Sequence, residues 1–129
     1  MRILIDTQCW LWMHLSPERF STRTRRLVSR LDTDIVLSAV SVWEIAIKSA
    51  LGKLRLPEPA EAWVPARITL SVVTPLPVDV AHALRVGTLP PHHRDPFDRM
   101  LISQSLVEGL PVLTSDPVFS RYGVKVIAA

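Results

Sequence analysis

Asp6, Glu44, Asp98 and Asp116 are the residues of this chain whose types and spacing could do chemistry. Each stands where a strand should end or a helix should begin. Acids far apart in sequence meet at one edge of a parallel sheet when they occupy such positions. Carboxylates gathered in one small volume repel one another and need a cation. Their hard oxygens suit Mg²⁺ or Mn²⁺. The chemistry this implies is metal-assisted attack on a phosphodiester, in which the ion activates water and neutralises charge building on the phosphoryl oxygens.

Every one of these acids also has a purely structural reading. Asp6 follows Ile3-Leu4-Ile5 and could cap a helix starting near Thr7. Ser41-x-x-Glu44 is a capping-box pattern, although the flanking Trp43, Ile45 and Ile47 read as buried. Asp95-Pro96 opens a helix, and Asp98 falls in its first turn, one turn before the apolar Ile102. Asp116 precedes Pro117 and could cap a last short helical turn. Capping explains the four one at a time, whereas a shared sheet edge explains them together.

The elements that must position these acids alternate. Short apolar runs predict strands at residues 2–5, 34–38, 70–74, 111–114 and 124–127. Between them, helices are expected near residues 7–15, 17–31 or 21–31, 41–51, 60–67, 77–86 and 95–108, with Gly52 closing the third. The expected fold is therefore α/β, three layers with helices on both faces of a central, mainly parallel sheet. Ligands of such sheets bind beyond the carboxyl ends of the strands, where Asp6 and Asp116 fall.

With 129 residues, 48% hydrophobic and 21% charged, the chain has the make-up of one folded domain. The lone Cys9 excludes an internal disulfide and a cysteine zinc site, and reads as a packed residue. Met1-Arg2 leads into only three apolar residues before Asp6, and no apolar run is long enough to span a bilayer, so a cytoplasmic protein is expected. The four glycines are scattered, which argues against a phosphate-cradling loop, and no Gly-x-Ser-x-Gly elbow occurs. A formal net charge of +3 favours polyanionic partners mildly. Arg19, Arg23, Arg26 and Arg30 are spaced to share one helical face, with Phe20, Leu27, Val28 and Leu31 facing inward. Such a stripe could carry phosphates, face an acidic protein, or be a solvated surface. His92-His93 reads as a solvated loop pair, and His14 and His82 as helix residues without a constellation.

The ordered set Ile3-Leu4-Ile5-Asp6-Thr7, Trp43-Glu44-Ile45-Ala46-Ile47-Lys48, Leu51-Gly52-Lys53-Leu54, His93-Arg94-Asp95-Pro96-Phe97-Asp98-Arg99 and Leu113-Thr114-Ser115-Asp116 resembles the PIN domains. More narrowly, it is similar to the toxin ribonucleases of VapBC-type toxin–antitoxin pairs. The likeness runs from the first strand to the last, so residues 1–129 are expected to form a single PIN domain. It implies an Mg²⁺-dependent endoribonuclease, with Mn²⁺ a possible substitute, whose catalytic acids are Asp6, Glu44, Asp98 and Asp116. Asp6 and Asp98 would ligate the metal directly. Lys48, Lys53, Arg94 and Arg99 would hold the RNA backbone. The resemblance also implies a homodimer, a cognate antitoxin that inserts a segment into the active-site groove, and a larger toxin–antitoxin complex. Gln8-Cys9 and Ser105 depart from residues common in close relatives without touching the acids.

Three rival readings stand beside this one. A haloacid dehalogenase-type phosphatase needs a second aspartate two residues after the first, where Gln8 stands. A phosphate-accepting receiver domain needs paired acids after the first strand, which Asp6-Thr7 lacks. The third is a PIN-like module that binds protein or RNA without cutting, and the presence of all four acids weighs against it.

Overall fold

The computed structural model describes all of residues 1–129. In chain order its elements are β1 (Arg2–Ile5), α1 (Thr7–Leu15), α2 (Thr22–Val28), β2 (Asp34–Ser38), α3 (Ala39–Ala50), α4 (Ala60–Ser71), β3 (Thr74–Leu76), α5 (Val80–Val86), α6 (Pro96–Glu108), β4 (Val112–Thr114) and β5 (Val126–Ala128). Short 3₁₀ turns occupy Pro17–Arg19 and Pro117–Tyr122. All four strand pairings are parallel, in the order β3-β2-β1-β4-β5.

Strand alternation divides the core between the two sheet faces. Ile3, Ile5, Ile35, Leu37 and Leu113 pack with Trp10, Trp63 and Val64 of α1 and α4. Leu4, Val36 and Val112 point the other way, onto Leu101 and Ile102 of α6 and onto Phe119 and Tyr122. A strand covered on both faces must be apolar throughout, and Ile3-Leu4-Ile5 is entirely buried. Burial of each such side chain contributes about 1.5–3 kcal/mol. Cys9 is buried in the first of these layers. No helix is long and apolar enough to cross a membrane.

β1 lies between β2 and β4, and the chain leaves it first toward β2 and only later returns to β4. The carboxyl ends of β1 and β4 therefore form the topological switch point, where neighbouring connections diverge and open a crevice.

Several expected elements shift. The run at residues 70–74 is not a strand, because α4 continues through Ser71 despite Pro65 within it. Val72 then stops the helix in the left-handed region (φ +54°), and β3 begins only at Thr74. Pro75 is tolerated in β3 because that strand is an edge of the sheet. The arginine stripe is not one helical face: Arg19 lies in a 3₁₀ turn, α2 ends at Val28, and Arg30 lies beyond it. Leu31, expected inside, is fully exposed. Trp43, expected to be buried, is 60% exposed and rests edge-on against Phe97.

Candidate active site

β1 runs straight into Asp6, which serves as the N-cap of α1, its Oδ1 accepting the Cys9 N–H at 2.7 Å. Asp116, two residues past β4, caps the following 3₁₀ turn through Oδ1, which accepts the Val118 N–H at 2.9 Å. The caps consume one oxygen of each carboxylate for these bonds. Asp95 caps α6, accepting the N–H groups of Phe97 and Asp98, which frees Asp98 in the first turn from a capping duty.

Glu44 is not part of a capping box. α3 begins earlier than expected, with Ser38 as its N-cap, so Ser41 lies inside the helix and is buried. There Ser41 accepts the Thr7 hydroxyl at 2.9 Å and ties α3 to α1. Glu44, one turn on and only 5% exposed, faces the crevice. Lys48 donates to its Oε2, while its Oε1 is buried without a hydrogen-bond partner.

All four acids line one cavity of about 370 Å³, whose wall also includes Asp95, Ser115, Lys48 and Lys53. Five carboxylates thus face two ammonium groups in a confined space. The consequence appears in their protonation. Burial, reinforced by the charge of Asp95 and then of Glu44 and Asp6, pushes the Asp98 carboxyl up to about 7, with His93 opposing. Burial also raises Asp6, against the Thr114 hydroxyl and the Cys9 N–H, which favour its ionised form. Lys48 is held above its ordinary range, chiefly by its hydrogen bond to Glu44.

His93 is the site residue that sequence reasoning misses. It is not a solvated loop side chain. Its Nε2 lies 3.0 Å from Asp98 Oδ2 and 2.9 Å from Asp116 Oδ2. Its Nδ1 accepts the Asp95 N–H at 3.2 Å, which leaves the ring proton on Nε2, between the two acids. Its backbone N–H donates to the Tyr122 hydroxyl at 2.7 Å. The available signal is His93-x-Asp95, a spacing that lets an imidazole fold back onto a helix cap.

Arg99, expected to contact RNA, secures the loop before α6 in this structure. Its terminal nitrogens donate to the carbonyls of Val86, Leu89, Pro90 and His93 and to the Tyr122 hydroxyl, at 3.0–3.4 Å. Arg94 is exposed on that loop, and Lys48 and Lys53 line the cavity. His82 also has a constellation, contrary to expectation. It is wholly buried, with Nε2 3.0 Å from Glu108 Oε1 and Nδ1 accepting the Asp79 N–H at 3.1 Å.

The donor set suits a hard divalent cation. Carboxylate oxygens dominate, a buried Glu44 oxygen lacks any partner, and the negative charge exceeds what two lysines can balance. The placement of these acids at the switch point of a five-stranded parallel sheet agrees with the sequence comparison, in which the PIN domain matches residues 3–125. The chain belongs to the PIN-domain family.

Among PIN-domain relatives, the ribonuclease VapC16 of Mycobacterium tuberculosis is 49% identical over 59 residues, 46% of this chain and 42% of that protein. The alignment thus spans less than half of that relative. Solved structures match over the whole fold. VapBC2 from Rickettsia felis, bound to a DNA fragment from its promoter, superposes with a TM-score of 0.73 at 14% identity, covering 100% of this chain and 99% of that one. DNA-bound VapBC from Salmonella typhimurium gives 0.69 at 19% identity, covering 99% and 98%. At these identities the structures establish the shared three-layer fold of the PIN domain.

Proposed function

We propose that this PIN domain is a metal-dependent endoribonuclease, the toxin of a VapBC-type toxin–antitoxin pair. The observation that carries the reading is the meeting of Asp6, Glu44, Asp98 and Asp116 in one cavity at the sheet's switch point, with one Glu44 oxygen buried and unpaired. Similarity to ribonuclease VapC16 and to VapBC structures supports it.

Asp6 and Asp98 would hold the ion directly, with Glu44 and Asp116 completing the acidic wall. Mg²⁺ or Mn²⁺ bound there supplies Lewis acidity toward a phosphodiester. The protein's own groups do the rest. The N-cap bond to Cys9 fixes Asp6, and the Asp95 cap fixes the turn that presents Asp98. His93 donates from Nε2 and holds Asp98 and Asp116 at a defined separation. Lys48 and Lys53 at the wall can receive the phosphates flanking the scissile bond. Single-stranded or looped RNA fits best, since the scissile phosphate must enter a cavity and not lie along a duplex.

Residues 1–129 act in this reading as one PIN domain, working in the cytoplasm as a homodimer. A groove of about 590 Å³ between α3 and α4, lined by Val42, Ala46, Val64 and Ile68, would seat an apolar segment of the antitoxin. It lies on the face of α3 opposite Glu44 and Lys48, so an occupant would have to pass around the helix to reach the acids.

The test is incubation of purified, partner-free protein with cellular RNA, with Mg²⁺ or Mn²⁺, with chelator, and as Asp6→Asn. Discrete cuts lost with chelator and in the variant are expected. Metal-independent cutting, or equal cutting by Asp6→Asn, would overturn the reading.

A further inference from the structure

The positive charge of this protein is unevenly placed. Residues 17–32 contain five of its 15 Lys and Arg but only two of its 12 Asp and Glu, so this segment carries the whole formal excess of +3. Arg30 is neutralised by Asp32, which it meets through two hydrogen bonds of 2.9 Å. Arg19, Arg23, Arg25 and Arg26 are exposed, and none has a carboxylate within salt-bridge distance.

Their position relative to the acids follows from how α2 is anchored. Ser21 caps the helix by accepting the Thr24 N–H, and the buried Thr24 hydroxyl donates to the Ala128 carbonyl at 2.8 Å. Ala128 is in register with Thr114 at the carboxyl end of β4, two residues before Asp116. The start of α2 is therefore clamped to the sheet edge that bears the acidic cavity. Its other end leads back to β2, whose first residue bonds Met1 at the amino edge. β5 is two strand spacings from β1, about 10 Å. Arg23 and Arg25 flank the anchored Thr24, and Arg19 lies over the Trp12 ring at 5.5 Å, which holds it against the C-terminal half of α1, about 9 Å along that helix from its Asp6 cap.

We propose that Arg19, Arg23, Arg25 and Arg26 form an exosite for the RNA sugar–phosphate backbone, engaging nucleotides a short way from the scissile phosphate. This rests on the ribonuclease reading and adds to it. The cavity itself is acidic and repels a polyanion, so attraction must come from a neighbouring surface. The guanidinium groups of Arg19 and α2 are concentrated, free of carboxylate partners, and carried on the segment anchored at that edge, and such groups pair well with phosphate. An acidic protein segment is the competing occupant, and the experiment separates the two.

The experiment measures binding of a fluorescein-labelled oligouridylate of about 20 nucleotides in chelator, so that affinity is read without cleavage. Wild type, Arg23→Glu/Arg26→Glu, Arg23→Lys/Arg26→Lys and Arg30→Glu are compared across a salt series. Charge reversal should weaken binding at least tenfold. It should also flatten the dependence of log affinity on log salt by about 0.7 for each phosphate that the variant no longer neutralises. The lysine variant should stay within a few fold of wild type and Arg30→Glu within about twofold, because Arg30 is already paired. All substituted side chains are exposed, and unchanged melting temperatures verify the fold. Unaltered affinity and salt slope on charge reversal would overturn the exosite, as would unchanged RNA binding with selective loss of binding to a polyglutamate peptide. Cleavage of cellular RNA with Mg²⁺ is scored separately. Failure there with intact, arginine-dependent RNA binding sinks the nuclease reading and spares the exosite, whereas full cleavage with an unchanged slope does the reverse.

Discussion

Two histidines of this PIN domain each meet two carboxylates, and the two clusters do different things. His82 with Asp79 and Glu108, and His93 with Asp98 and Asp116, each gather three ligand-type atoms within 4.8 Å. In the first, both ring nitrogens are satisfied: Nδ1 accepts the Asp79 N–H and Nε2 bonds Glu108. Asp79 in turn caps α5 through the His82 N–H. The cluster closes on itself and ties α5 to α6. In the second, His93 supplies one proton to two acids, and Glu44, Asp6 and Asp95 add further negative charge to the same cavity. Proximity of ligand atoms does not make a site. Charge left unbalanced, at a place the topology opens to solvent, does.

The largest expected effect distinguishes the clusters by chemistry. Asp98→Asn or Asp116→Asn should lower the rate of RNA cleavage by roughly a thousandfold or more, while circular dichroism stays native. His82→Ala, assayed below its melting temperature, should leave the turnover rate near wild type. A fully active, folded Asp98→Asn protein would remove the distinction.

The second effect is on stability and runs the other way. His82→Ala leaves a cavity in a wholly buried position and strips the Asp79 N–H of its acceptor. Urea unfolding should show a loss of about 3 kcal/mol. A loss under about 1 kcal/mol would mean that the α5–α6 staple is ornamental and that the buried imidazole serves something else.

How much of this is readable in the sequence follows from the range over which each signal acts. The strand runs Ile3-Leu4-Ile5 and Ile35-Val36-Leu37 and the acids at the ends of elements are local features, and they place Asp6, Asp98 and Asp116 at one edge, whereas Glu44 reaches the same cavity from the middle of α3. The two histidine clusters are local on one side only. His93 finds Asp116 across 23 residues and His82 finds Glu108 across 26, through packing that no spacing announces. Helix boundaries fail where two caps compete. Ser38 and Ser41 both suit the start of α3, and the structure uses Ser38, which leaves Ser41 inside the helix to accept the Thr7 hydroxyl. Arg99 misleads because a cation beside an acidic motif resembles a phosphate ligand, whereas a loop crowded with unpaired carbonyls is its actual partner.

Protonation sharpens the contrast next. The Asp98 carboxyl is raised to about 7 in the folded, metal-free protein, chiefly by burial. Its unfolded value is about 3.9, so between these limits the folded state binds more protons than the unfolded state. This contribution makes stability fall as pH rises from about 4 to 7. Asp6, also raised, acts in the same direction. Melting temperature in chelator should therefore drop by a few degrees between pH 5.5 and 8, more in wild type than in Asp98→Asn. Mg²⁺ at pH 8 should recover the loss in wild type and recover less in the variant. Identical pH profiles for the two proteins would show that Asp98 is not strained by its surroundings.

The smallest effect asks whether the first cluster needs charge at all. Glu108→Gln keeps an acceptor in place for His82 Nε2 and removes only the carboxylate's charge from a position 36% exposed at its side chain. Water screens a charge so placed, so the change should cost no more than about 0.5–1 kcal/mol in unfolding experiments and nothing in cleavage. The same carboxylate-to-amide exchange at Asp116 should have the opposite profile: cleavage should collapse, and stability should hold or rise because a repelling charge has gone. If Glu108→Gln instead cost several kcal/mol, the His82 pair would be an ionic bond whose charge matters, and the closed cluster would share with the open one the very property that separates them.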